Sequence, residues 1–133
     1  MRVVLDTNIL ISALIFPGGP PEAVYRRALE GHIEVVTSRP LLAELGRVLV
    51  AKFGWRSDRA EEAVAQLARV ATVVSPSERV EEIAEDPADD RVLEAALAGA
   101  AEVIVSGDRH LLKLKVWRSI AIERAVDFLR RPA

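Results

Sequence analysis

The sequence predicts an α/β fold built on a parallel sheet. Short aliphatic and β-branched runs recur at Val3-Val4-Leu5, Ile33 to Thr37, residues 71–75 and Val103-Ile104-Val105. Longer stretches with helical periodicity separate them. Strands divided in this way by helices are expected to lie parallel, joined by right-handed crossovers. At 133 residues the chain is read as one domain, 1–133, large enough for its own core.

Residues 2–5 read as a buried strand, and residues 8–15 as a first short helix. Pro17-Gly18-Gly19-Pro20-Pro21 is a break. A helix over about 21–30 stops near Gly31, and residues 33–37 form the second strand. Ser38-Arg39-Pro40 opens a helix over about 40–52, with serine as cap and proline in the first turn. Gly54 ends it. A helix over 58–70 precedes a strand near 71–75. Asp86-Pro87 starts a helix that runs to about Ala98 and ends at Gly99. A strand at 102–105, a short helix over 108–113, a strand near 119–122 and a helix over 123–130 complete the chain. No internal repeat and no long linker divides it.

Half the residues are hydrophobic and 29% are charged, a globular profile. There is no cysteine, which excludes disulfides and thiolate metal sites. The longest apolar runs, such as Ile9 to Phe16, are too short for a bilayer, and an acid at position 6 comes too early for a signal peptide. A cytoplasmic protein without membrane contact is expected. The net charge of −2 hides an asymmetry: residues 1–108 carry 11 basic and 18 acidic side chains, whereas residues 109–133 carry seven and two. The basic end can hold a polyanion or can simply be a solvated face.

Four acids stand at awkward places. Asp6 follows the first strand, and Asp108 follows Val103-Ile104-Val105-Ser106-Gly107. Both fall beyond the carboxyl ends of strands, where open α/β sheets build their sites. Capping of the next helix is the simpler explanation of each. Glu44 lies roughly 40° from Val48, at the border of the stripe made by Leu41, Leu42, Leu45, Val48 and Leu49. In Asp86-Pro87-Ala88-Asp89-Asp90, Asp86 is a natural cap. Asp89 sits over the stripe of Val92, Leu93, Ala96 and Leu97, and Asp90 turns about 100° away. Favourable charge at a helix N-terminus explains either acid without function. Burial favours Asp89 as the inward residue, with Asp90 a near alternative. Carboxylates brought together repel, and a divalent cation relieves them. Oxygen donors without cysteine point to Mg²⁺ or Mn²⁺, ions suited to phosphate chemistry. His32 and His110 show no metal-ligand spacing, and aromatics at 5% make a base-stacking platform unexpected.

Asp6-Thr7-Asn8, Glu44 in its leucine-rich helix, Asp89 with Val92 and Ala96, and Ser106-Gly107-Asp108 together resemble the PIN-domain nucleases. The resemblance covers nearly the whole chain in the right order. Ser106 to Leu112 is most similar to PIN-family toxins of prokaryotic toxin–antitoxin systems. It implies a three-layer α/β/α sandwich with a central parallel sheet and metal-dependent endonucleolytic hydrolysis of RNA. Asp6, Glu44, Asp89 and Asp108 are then the catalytic and metal-binding acids in turn. Asn8 and Ser106 match supporting polar positions, and Asp90 leaves the third acid open by one place. It implies too a homodimer and a separate antitoxin. Arg109, Lys113 and Lys115 are the expected contacts to the RNA backbone. Two rival readings are a phospho-acceptor regulatory domain, which also gathers aspartates around Mg²⁺, and a catalytically idle RNA- or partner-binding module.

Overall fold

The computed structural model describes residues 1–83 and 86–132. All five expected strands form: β1 (Arg2–Leu5), β2 (Glu34–Ser38), β3 (Thr72–Val74), β4 (Val103–Val105) and β6 (Ile120–Glu123), with β5 (Val116–Trp117) an addition. Their order is β3-β2-β1-β4-β6-β5. The first five in that order pair in parallel, and β5 runs antiparallel to β6. From β1 the chain steps outward to β2 and β3, then returns to β4 on the other side. The order therefore reverses between β1 and β4, and a crevice opens beyond their carboxyl ends. The register pairs Val3 with Val103, Val4 with Ile104 and Leu5 with Val105, which leaves Asp6 beside Ser106.

Alternate strand residues feed two cores. Val3, Leu5, Val35, Val103 and Val105 pack with Leu10, Val24, Leu45, Leu49, Leu67 and Phe128. Those partners come from α1 (Thr7–Ile15), α2 (Pro20–Leu29), α3 (Arg39–Ala51), α4 (Ser57–Val70) and α7 (Ala125–Leu129). Val4, Val36, Ile104 and Ile122 face Leu93, Ala96 and Leu111 on α5 (Pro87–Ala98) and α6 (Arg109–Leu112). Central strands buried on both faces explain the unbroken apolar runs in their sequences. The result is a three-layer α/β/α sandwich. No helix among the described residues is long and apolar enough to cross a membrane.

Helix starts obey the sequence signals. Ser38 Oγ accepts from the Leu41 amide at 3.5 Å, and Asp86 Oδ1 accepts from the Ala88 amide at 3.1 Å. Each helix has proline in its first turn. After α5, Gly99 lies against β2 so closely that a Cβ there would collide with Val36.

The expected central parallel sheet forms, and β5 adds an antiparallel edge to it by turning into β6 through Arg118 and Ser119, at φ 48° and 69°. Two consecutive positive φ angles are the geometry of a tight hairpin turn. Arg-Ser lacks the Asn-Gly or Asp-Gly signature of such a turn, so the sequence does not announce it.

Candidate metal centre

Asp6 ends β1 at the N-cap position of α1, but its side chain makes no capping bond. Instead Ser106 Oγ donates to Asp6 Oδ2 at 2.6 Å, a bond that the strand register brings about. The same Ser106 oxygen accepts from the Asp108 amide at 2.9 Å, so one hydroxyl ties both strand ends. Asp6 is 6% exposed and Ser106 fully buried. Burial, opposed by the Ser106 and Thr7 bonds and aided by the charges of Glu44 and Asp108, raises the Asp6 carboxyl to about 6.

Glu44 arrives from α3, on the neighbouring element. Thr7 Oγ1 donates to Glu44 Oε2 at 3.2 Å, which links the second acid to the residue after the first. Asn8 is exposed, with its Oδ1 facing the Gly107 amide at 3.5 Å. Asp108 does cap α6: one carboxylate oxygen accepts from the His110 amide at 2.7 Å. Capping and a place in the cleft are thus both true of it.

The two aspartates of α5 divide. Asp90 Oδ1 accepts from the amides of Glu82 and Ile83 at 3.1 and 2.9 Å, and Glu94, one turn on, accepts from the Val80 amide at 2.8 Å. That acidic face of the helix pins the segment that precedes it. Asp89 turns towards the cleft and is 5% exposed, and its Oδ2 is buried without a hydrogen-bond partner among the described residues. Burial first, then the charges of Asp108, Asp6 and Asp86, raise its carboxyl to about 8.

The cleft holds about 400 Å³ and is lined by Asp6, Glu44, Asp86, Asp89 and Asp108 among others. A buried carboxylate oxygen with no donor among the described residues, beside acids whose charges help to raise Asp6 and Asp89, is a site that fits a hard divalent cation. Ligand atoms of Asp89, Asp108 and His110 lie within 4.8 Å of one another. His110, set aside on spacing in the sequence, is therefore part of this region.

Other lining residues escaped the sequence reading. Lys52 lies along the same helical line as Glu44 and Val48, each four residues on, and that spacing is the signal that would have found it. Phe16, 63% exposed, and Phe53, 41% exposed, stand in the same lining. Low aromatic content argued against such a placement, yet composition does not say where two rings sit. Arg109, Lys113 and Lys115 are exposed around α6 and do not line the cleft.

A family model described as PIN domain matches residues 2–110, a span that runs from β1 into α6 and contains all four acids. An uncharacterised protein of Methanocaldococcus jannaschii, MJ1680, is 28% identical over 119 residues, which covers 86% of this chain and 76% of that protein. Among solved structures, a chain of VapBC2 from Rickettsia felis, bound to a DNA fragment from its promoter, superposes with a TM-score of 0.66 at 16% identity. The match covers 93% of this chain and 98% of that one. A chain of VapBC-1 from nontypeable Haemophilus influenzae gives 0.64 at 18% identity, over 95% and 99%. At those identities the likeness is one of fold.

Proposed function

This chain belongs to the PIN-domain family, and from that premise we propose that it is a Mg²⁺- or Mn²⁺-dependent endoribonuclease that hydrolyses RNA phosphodiester bonds. The observation that carries the reading is the unpartnered, buried Asp89 oxygen at a switch-point crevice that Asp6, Glu44 and Asp108 also line.

In this reading Asp6, Glu44, Asp89 and Asp108 are the catalytic acids that hold the cation. When bound, the ion supplies Lewis acidity and neutralises charge at the phosphorus under attack. Ser106 fixes the rotamer of Asp6 and seats the Asp108 backbone, while Thr7 does the same for Glu44. Asn8 holds the turn after β4 against α1. Asp90 supports from behind by tying residues 82 and 83 to α5. Lys52 is placed to meet a phosphate oxygen at the cleft, and the exposed rings of Phe16 and Phe53 offer faces for an unpaired base. Arg109, Lys113 and Lys115 steer the backbone towards the site.

The biological reading is the toxin of a toxin–antitoxin pair, working as a homodimer in the cytoplasm and restrained by a separate antitoxin protein. It is supported by the fold shared with chains of VapBC2 and VapBC-1, and by the Ser106-to-Leu112 segment that resembles toxin members of the family.

The test is a metal-titrated cleavage assay on single-stranded RNA. The wild-type chain is expected to cut only with Mg²⁺ or Mn²⁺. Asp6→Asn keeps an acceptor for Ser106 and removes a charge, so it should lower kcat at least about a hundredfold while circular dichroism is unchanged. Full metal-dependent cleavage by this variant would sink the assignment.

A further inference from the structure

We propose that Asp89, Asp108 and His110 form a mixed oxygen–nitrogen subsite in which the His110 imidazole ligates the divalent ion directly. The chain then prefers Mn²⁺ to Mg²⁺. The proposal rests on reading the cleft as a divalent-metal site and goes further, since it names a nitrogen donor that the acidic quartet lacks.

Geometry points there first. The three side chains offer ligand atoms that all lie within 4.8 Å of one another. Two ligands facing across an octahedral ion stand about 4 Å apart, twice a bond of about 2.0–2.1 Å. Of three ligands on one such ion at most one pair faces across it and the others stand about 3 Å apart, so seating one ion draws the wider pairs in by up to about 2 Å, a movement of side chains. His110 is not a loose surface side chain: its side chain is 25% exposed, and its Nδ1 lies 3.5 Å from Asp108 Oδ1. Its backbone is held as well, because the His110 amide donates to that same carboxylate oxygen at 2.7 Å. The second observation is independent of the histidine. Asp89 is 5% exposed and its Oδ2 has no donor among the described residues, so one member of the trio holds an unused ligand atom out of water. An ion pair between His110 and Asp108 accounts for their approach but leaves that oxygen bare. A shared cation accounts for both.

The donor set decides the ion. Mg²⁺ and Mn²⁺ both suit carboxylates and water, but a ring nitrogen adds affinity for first-row transition ions, of which Mn²⁺ is the one that shares the oxygen donors of Mg²⁺. Replacing one oxygen donor by a ring nitrogen should therefore tilt selection towards Mn²⁺ without excluding Mg²⁺ from the carboxylates.

The experiment loads the full-length chain with Mn²⁺ alone and reads pulsed electron paramagnetic resonance, with affinity by calorimetry and no RNA present. Nitrogen modulation from a directly bound imidazole is expected. It should change to the ¹⁵N pattern when histidine is ¹⁵N-labelled, persist in His32→Gln and vanish in His110→Gln. Mn²⁺ affinity should fall about tenfold or more in His110→Gln, and Mg²⁺ affinity less than about threefold, with circular dichroism confirming the fold. Mn²⁺ bound without a histidine signal, or a signal that survives His110→Gln, overturns the subsite and leaves the nuclease reading standing. Failure of the wild-type chain to bind Mn²⁺ overturns both.

Discussion

Asp89 and Asp90 are neighbours with opposite tasks, and the difference comes from which way each carboxylate turns. Asp90 satisfies two backbone amides, one of them on buried Ile83. Asp90→Ala strands those amides and should cost about 1–3 kcal/mol, read from the denaturant midpoint. Equal stability of that variant and wild type would show that the bonds carry nothing. Asp89 and Asp6 behave differently, because their carboxyls stand at about 8 and about 6 in the folded chain. The unfolded values are about 4. Without metal the folded state therefore keeps protons that the unfolded state has lost. Stability then falls as pH rises, through about 4 to 6 for Asp6 and about 4 to 8 for Asp89. The melting temperature of the metal-free chain should drop between pH 5 and pH 8, and saturating Mg²⁺ should raise it more at pH 8 than at pH 5. Metal competes with these protons, so its affinity should climb by up to about tenfold per pH unit for each proton displaced. A flat melting temperature with pH, insensitive to Mg²⁺, would contradict the burial of both carboxyls.

At the scale of elements, the site depends on where each strand stops and on the residues just beyond it. β1 and β4 stop level with each other, and each is succeeded at once by polar residues and a helix, so Asp6, Ser106 and Asp108 meet without a long loop. The helix α5 must lie flat against the sheet for Asp89 to reach them. Gly99 permits this, since it sits where Val36 of β2 leaves no room for a Cβ. Gly99→Ala should therefore lift the end of α5, cost about 1–3 kcal/mol in thermal unfolding and weaken Mg²⁺ binding as well. Unaltered unfolding would mean that the Val36 side chain gives way freely. The spacing of glycine, proline and apolar residues made the helix limits legible to within a residue or two. The β5–β6 hairpin was not legible, because Arg118 and Ser119 hold left-handed conformations that their residue types do not favour.

At the scale of the whole molecule, charge is distributed more narrowly than the basic C-terminal quarter implies. Arg118 pairs with Glu78, Arg130 with Asp127 and Arg131 with Glu123. Arg109, Lys113 and Lys115 have no such pair among the described residues and lie beyond the strand end that carries Asp108. Replacing all three with glutamine in an Asp6→Asn background should weaken single-stranded RNA binding. It should also reduce the slope of log Kd against log salt by about 2. An unchanged slope would place the RNA path elsewhere. By itself the sequence determined the alternation of strands and helices, the caps at Ser38 and Asp86, and the position of Asp6 and Asp108 at strand ends. Those are local properties, set by periodicity of 2 and 3.6 residues and by the chemistry of single turns. Only the tertiary structure decided that Thr7 orients Glu44, that Lys52, Phe16 and Phe53 share the acidic cleft, and that His110 stands beside Asp89. Those neighbours depend on strand register and on crossovers that return the chain to the other side of β1, and no periodicity within one segment encodes what a distant segment brings to it.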